Sequence, residues 1–99
     1  MFNQARTIEC KDARRLVEAG AQLIDVRSSQ EYAQGALPGS RNLPLQALHA
    51  GDHQLCDQTP VIVYCASGMR SSQAVNVLIA SGYRDVHDLG TWRRFENCD

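Results

Sequence analysis

No apolar run in these 99 residues approaches the roughly 18 that a bilayer-spanning helix needs. Neither sign of charge dominates: 10 Lys and Arg stand against 11 Asp and Glu, for a formal net charge of -1 and a pI near 6.3. No half of the chain is strongly basic, so the electrostatic footprint of a nucleic-acid binder is missing. The opening residues, Met1 to Ile8, are polar, carry Arg6 and lead into no apolar stretch. That is not the pattern of a secretory signal. The expectation is a cytoplasmic protein that works without membrane or nucleic acid.

The cysteines also lack something. Cys10, Cys56, Cys65 and Cys98 are widely spaced and form no CxxC pair. Disulfide frameworks belong mainly to secreted chains, and zinc sites use close ligand pairs. His49, His53 and Cys56 come nearest to a metal cluster. Gly51 and Asp52 would break any helical face there, so a solvated loop is the expected reading. No metal and no organic cofactor is expected. No internal repeat, low-complexity tract or linker is visible either.

What is present fits one compact domain spanning 1–99. The 43% hydrophobic content suffices for a core, although a domain this small buries a limited share of its surface. The pattern alternates. Arg6 to Glu9 reads as a short edge strand. Lys11 to Ala19 has helical apolar spacing and is stopped by Gly20. Gln22 to Val26 is a strand. Ser28 and Ser29 offer caps for a short helix around Glu31 and Tyr32. Pro38-Gly39 marks a turn, Arg41 to Leu43 a further strand, and Pro44 can open a helical turn through Leu48.

Val61-Ile62-Val63-Tyr64 is the strongest segment, a β-branched and aromatic run suited to the centre of a parallel sheet. A helix is predicted from about Ser71 to Ser81, with Gly82 at its end. Asp85 to Leu89 supplies a last strand, and Trp92 and Phe95 anchor a short closing helix. Strands separated by helices imply an α/β fold with a mostly parallel sheet covered on both faces.

In such sheets ligands bind beyond the carboxyl ends of the strands. Cys65 stands there, ahead of a helix N-terminus. Ala66, Ser67 and Gly68 are small enough to let the backbone curl, with N–H groups pointing inward as an anion-binding nest. The helix N-terminus and Arg70 add positive charge. Such surroundings favour thiolate over thiol, and the thiolate is the nucleophile. A strand-end cysteine by itself more often belongs to the core. The company of Ser67, Gly68, Arg70 and a capped helix turns the reading toward chemistry. Cys10, near a helix start, has little of that company; Cys56 and Cys98 read as incidental.

With these residues in view, the sequence resembles the rhodanese family. The resemblance rests on Leu23-Ile24-Asp25-Val26-Arg27, Glu31-Tyr32, Gly35-Ala36-Leu37-Pro38-Gly39-Ser40 and Asn42-Leu43-Pro44. It continues in the Cys65 loop, read as Cys-x-x-Gly-x-Arg-Ser, and in Val86-His87-Asp88-Leu89-Gly90. Three departures stand out. The family often has His at the place of Ala36, a second Gly at Thr91, and Trp where Phe95 aligns.

The resemblance implies a rhodanese-like fold with a five-stranded sheet and helices on both faces. It implies that Cys65 carries sulfur, that Ala66, Ser67, Gly68, Met69, Arg70 and Ser71 form the substrate pocket, and that Asp25 and Arg27 support it. For Asp25 and Arg27 the expected role is structural, as a salt-bridge and hydrogen-bond pair with Glu31 and the loop. The implied reaction moves sulfane sulfur from thiosulfate or a similar anionic donor to cyanide or a thiol, including one on a protein, through a Cys65 persulfide. Arg70 would draw in the donor, Ser71 would hydrogen-bond the sulfur through its hydroxyl or N–H, and Met69 would line the mouth. Two alternatives stand beside it. One is a non-catalytic rhodanese-like binding module. The other is a cysteine phosphatase or arsenate reductase, whose loops run one residue longer between Cys and Arg.

Overall fold

A computed structural model describes residues 6–51, 54–96 and 98. Its centre is β3 (Val61–Cys65), buried at every position. A strand with no polar face must be covered on both sides, which is the situation of an inner parallel strand. β3 lies between β1 (Gln22–Asp25) and β4 (Val86–Thr91), and β2 (Arg41–Asn42) lies outside β1. The order is β2-β1-β3-β4, and every pairing is parallel.

Four strands form among the described residues, where the sequence predicts five. The edge strand expected over Arg6–Glu9 reduces to one bridge between Thr7 and Asp88 and one hydrogen bond, from the Ile8 N–H to the Asp88 carbonyl at 3.0 Å. On the α1 side there is no backbone for more. Glu9 is already the cap residue of α1 (Cys10–Glu18).

Alternation along the strands builds two cores. Ile24, Val61, Val63 and Val86 face α3 (Leu45–His49) and α4 (Met69–Ala80), packing on Leu48, Ala74, Val75 and Leu78. Leu23, Ile62, Tyr64 and Leu89 face the other way, toward Ala13 of α1, Trp92, and Phe95 of α5 (Arg93–Glu96). Helices therefore cover both sheet faces. Each fully buried aliphatic side chain contributes about 1.5–3 kcal/mol.

Both glycine stop signals act as the sequence predicts. The Gly82 N–H donates to the Ile79 carbonyl and the Tyr83 N–H to that of Leu78. Gly20 and Ala21 repeat this with Val17 and Leu16. These paired bonds satisfy the last carbonyls of each helix. β4 outruns its expected end at Leu89. Val63 pairs with Asp88 but Tyr64 with Gly90, so Leu89 is an extra residue in a bulge and the strand continues to Thr91.

One expectation about cysteine is corrected. Cys10 and Cys98 are joined by a disulfide across a sequence separation of 88, with Cα atoms 5.6 Å apart. Local company says nothing about such a pair; it forms because α5 returns beside α1. Cys56 and Cys65 are free.

Candidate active site

Cys65 ends β3 and is wholly buried. Beyond it, exposed Ala66 and Ser67 carry the chain to Gly68, which caps α4 at a φ of 99°. That left-handed turn starts the helix at Met69, two residues before the predicted Ser71, and brings two N–H groups onto the sulfur. Gly68 N–H donates to Cys65 Sγ at 2.9 Å, and Ser71 N–H at 3.4 Å. The Ser71 hydroxyl donates instead to the Gly68 carbonyl at 3.1 Å, so of the two Ser71 groups expected at the sulfur, the N–H is the one that arrives. Met69, expected at the mouth, is 71% exposed.

A methyl group at Gly68 would meet the Gly90 Cα at 3.7 Å, an ordinary contact. The cost of Gly68→Ala is therefore conformational. A left-handed non-glycine residue costs about 1–2 kcal/mol. The expected outcome is a fall of that size in unfolding free energy, read from urea titrations of the two proteins. A change below a few tenths would mean that the turn is not held at positive φ.

Arg70 is not a free cation. Its two terminal nitrogens donate to the Glu31 carboxylate at 2.7 and 3.1 Å. Glu31 itself is fixed at the start of α2 (Ser29–Gln34). It accepts from the Ser28 N–H at 3.0 Å, while its own N–H donates to the Ser28 hydroxyl at 3.2 Å. This reciprocal capping box pins the carboxylate. Arg70, and then the Ser28 backbone, hold the Glu31 carboxyl down at about 2, against an ordinary 4.5. Glu31 in turn raises Arg70, with a smaller contribution from Cys65. Of the group expected around Glu31, its ion pair is with Arg70 of the loop, while Asp25 and Arg27 pair with each other.

The sign of the pH effect follows. Glu31 binds its proton more weakly when folded, so its contribution is complete above the ordinary 4.5 and is lost as pH falls toward 2. Urea midpoints of the native chain and of Glu31→Gln are expected to differ near neutrality and to converge between pH 4.5 and 2. A gap that stays constant through that window would remove the carboxylate as its cause.

Asp25 ends β1 and Arg27 follows it. Both are buried, and Arg27 donates to Asp25 through Nε and Nη2, the closest approach being 2.6 Å. Asp25 raises the Arg27 pKa. Arg27 Nη2 also donates to the Gly35 carbonyl at 2.6 Å, and its guanidinium lies 4.4 Å from the Trp92 ring centre. Trp92 then closes a circuit, because its backbone N–H donates to the Cys65 carbonyl at 3.1 Å. The sequence marks Trp92 only as an apolar anchor; nothing in its spacing shows this double contact.

Tyr64, beside Cys65, holds the 35–40 turn. Its hydroxyl accepts from the Leu37 N–H and donates to the Ser40 hydroxyl, each at 3.1 Å. Burial pushes the phenol up to about 12. Tyr64→Phe strands the Leu37 N–H, and an unmade buried bond costs about 1–3 kcal/mol. Thermal unfolding of that variant should show the loss.

A cleft of about 280 Å³, lined by Val26, Ser28, Pro44, Leu45, Gln46 and Arg70, adjoins the loop. Among the described residues no three His, Cys, Asp or Glu side chains are grouped to hold a metal ion. His53 and Asp52, of the stretch considered for a metal, lie outside the described residues. No helix among the described residues is long and apolar enough to cross a membrane.

The profile of the rhodanese-like domain matches residues 9–97. The chain belongs to the rhodanese-like family. It is 33% identical over 96 residues to the thiosulfate sulfurtransferase GlpE of Pseudomonas paraeruginosa, covering 90% of this chain and 81% of that protein. It is 36% identical over 69 residues to the uncharacterised protein YqhL of Bacillus subtilis, covering 70% of this chain and 55% of YqhL. Among solved structures, the human single-domain sulfurtransferase TSTD1 superposes with a TM-score of 0.79 at 26% identity, covering 95% of this chain and 97% of TSTD1. The rhodanese-like sulfurtransferases are thus its kin, and the parallel sheet with helices is the rhodanese-like fold.

Proposed function

We propose that the protein is a sulfurtransferase that carries sulfane sulfur on Cys65. The observation that carries this reading is the pair of backbone N–H groups, from Gly68 and Ser71, aimed at one cysteine sulfur at the end of the central strand. Such donors hold negative charge on sulfur, first on a thiolate and then on a persulfide. Thiosulfate or a related sulfane donor supplies the sulfur. The Cys65 thiolate attacks the outer sulfur, the sulfur–sulfur bond breaks, sulfite leaves with the bonding pair, and a Cys65 persulfide anion remains. A thiol, small or on a protein, or cyanide in an assay, then takes the outer sulfur and returns the thiolate. Ala66, Ser67 and Met69 form the outer wall, Arg70 faces the donor, and Asp25 and Arg27 keep the strand end rigid beneath.

The test is direct. The protein is incubated with thiosulfate without reductant, and the mass of each cysteine peptide is measured. One added sulfur atom on the Cys65 peptide alone, removed by cyanide, is the expected result. No gain there with thiosulfate or with polysulfide would overturn the reading in favour of a binding module.

A further inference from the structure

A loop built to attract an anion would leave its cation free, yet Arg70 is clasped on two nitrogens by Glu31. The carboxylate is not there by accident of a mobile side chain. The capping box of α2 fixes it, the N–H and the hydroxyl of Ser28 both donating to the Oε1 that also takes an Arg70 nitrogen. Both members of the pair remain about one-third exposed, so their charges face the solvent from which a donor comes. Arg94, beside Gly90, spends one N–H on the Leu89 carbonyl at 3.3 Å, and Arg27 is already paired with buried Asp25 at 2.6 Å. Glu31 is the smallest of the contributions to Arg27 but the largest to Arg70.

We propose that Glu31 sets donor preference: by cancelling the charge of Arg70 at the mouth of the Cys65 loop, it turns the site away from the thiosulfate dianion and toward persulfides of thiols. This rests on the sulfur-carrier reading above. With such a donor, the Cys65 thiolate attacks the outer sulfur of R–S–SH and the sulfur–sulfur bond breaks. R–S⁻ leaves with the electron pair and takes up the donor's proton, and the Cys65 persulfide anion remains. The departing thiolate brings at most one negative charge to the loop, where thiosulfate brings two. Glu31 is therefore a positioning and selecting residue that acts through Arg70, not a catalytic one.

The experiment measures KM and kcat for two donors, thiosulfate and the persulfide of N-acetylcysteamine, with the native chain, Glu31→Gln and Glu31→Asp. Glutamine keeps an acceptor for Arg70 and removes the charge. Its thiosulfate KM is expected to fall roughly three- to ten-fold at low salt, the scale of one unit charge facing a dianion through water. Raising ionic strength should shrink that gain. The persulfide KM should fall by no more than the square root of that factor, at most about three-fold, since that donor carries half the charge or none. Aspartate keeps the charge and should restore the native ratio of the two KM values. Equal shifts for both donors, or a shift indifferent to salt, would mean that Glu31 only shapes the loop, and the inference fails. If the native chain takes sulfur from neither donor, it is the sulfur-carrier reading that fails.

Discussion

Cys65→Ser should abolish sulfur loading and leave the fold intact. Replacing a covalent nucleophile costs on the order of 10³-fold or more in rate, because a serine hydroxyl is barely ionised near neutrality and forms no persulfide. The substitution is small in volume, and the new oxygen can still accept from Gly68 and Ser71, the donors that now serve the sulfur. Stability should therefore move by no more than about 1 kcal/mol. Sulfite release in the presence of thiosulfate reads the first effect, and a urea titration the second. Sulfur uptake undiminished in this variant would shift the carrier role to Cys56, the other free thiol.

The largest loss of stability is expected from Arg27→Met. Asp25 has no exposed surface, and Arg27 is its charged partner at 2.6 Å. Removing one member of a buried pair leaves the other charge uncompensated, at about 3–5 kcal/mol. A domain of ordinary stability has only about 5–15 kcal/mol in all. The variant should sit near the edge of unfolding at room temperature. The double variant Asp25→Asn, Arg27→Met removes both charges and should recover much of the loss. Urea midpoints of the two variants decide the matter. A single variant that loses less than about 1 kcal/mol would show that water reaches the carboxylate.

The elements that place the site are legible because they rest on local rules. The β-branched run before Cys65 declares a central strand, Gly20 and Gly82 declare helix ends, and Ser28 with Glu31 declares a capped helix. What escapes is set by geometry between distant segments. Arg70 and Glu31 lie 39 positions apart, and no periodicity links them. Trp92, just past the end of the bulged β4, meets Arg27 from a distant part of the chain. The Cys10–Cys98 bond depends on the return of α5 to α1. The missing fifth strand is a different lesson. Arg6–Glu9 has strand-like residues, but a helix cap at Glu9 uses the backbone that a ladder would need.

The burial of Cys65 also separates the two free thiols. Cys65 has no exposed surface, whereas Cys56 is exposed. Thiol modification depends on access as well as on thiolate character. A reagent too bulky to enter the loop should therefore label Cys56 first, so the two cysteines can be told apart by size of probe in the folded protein.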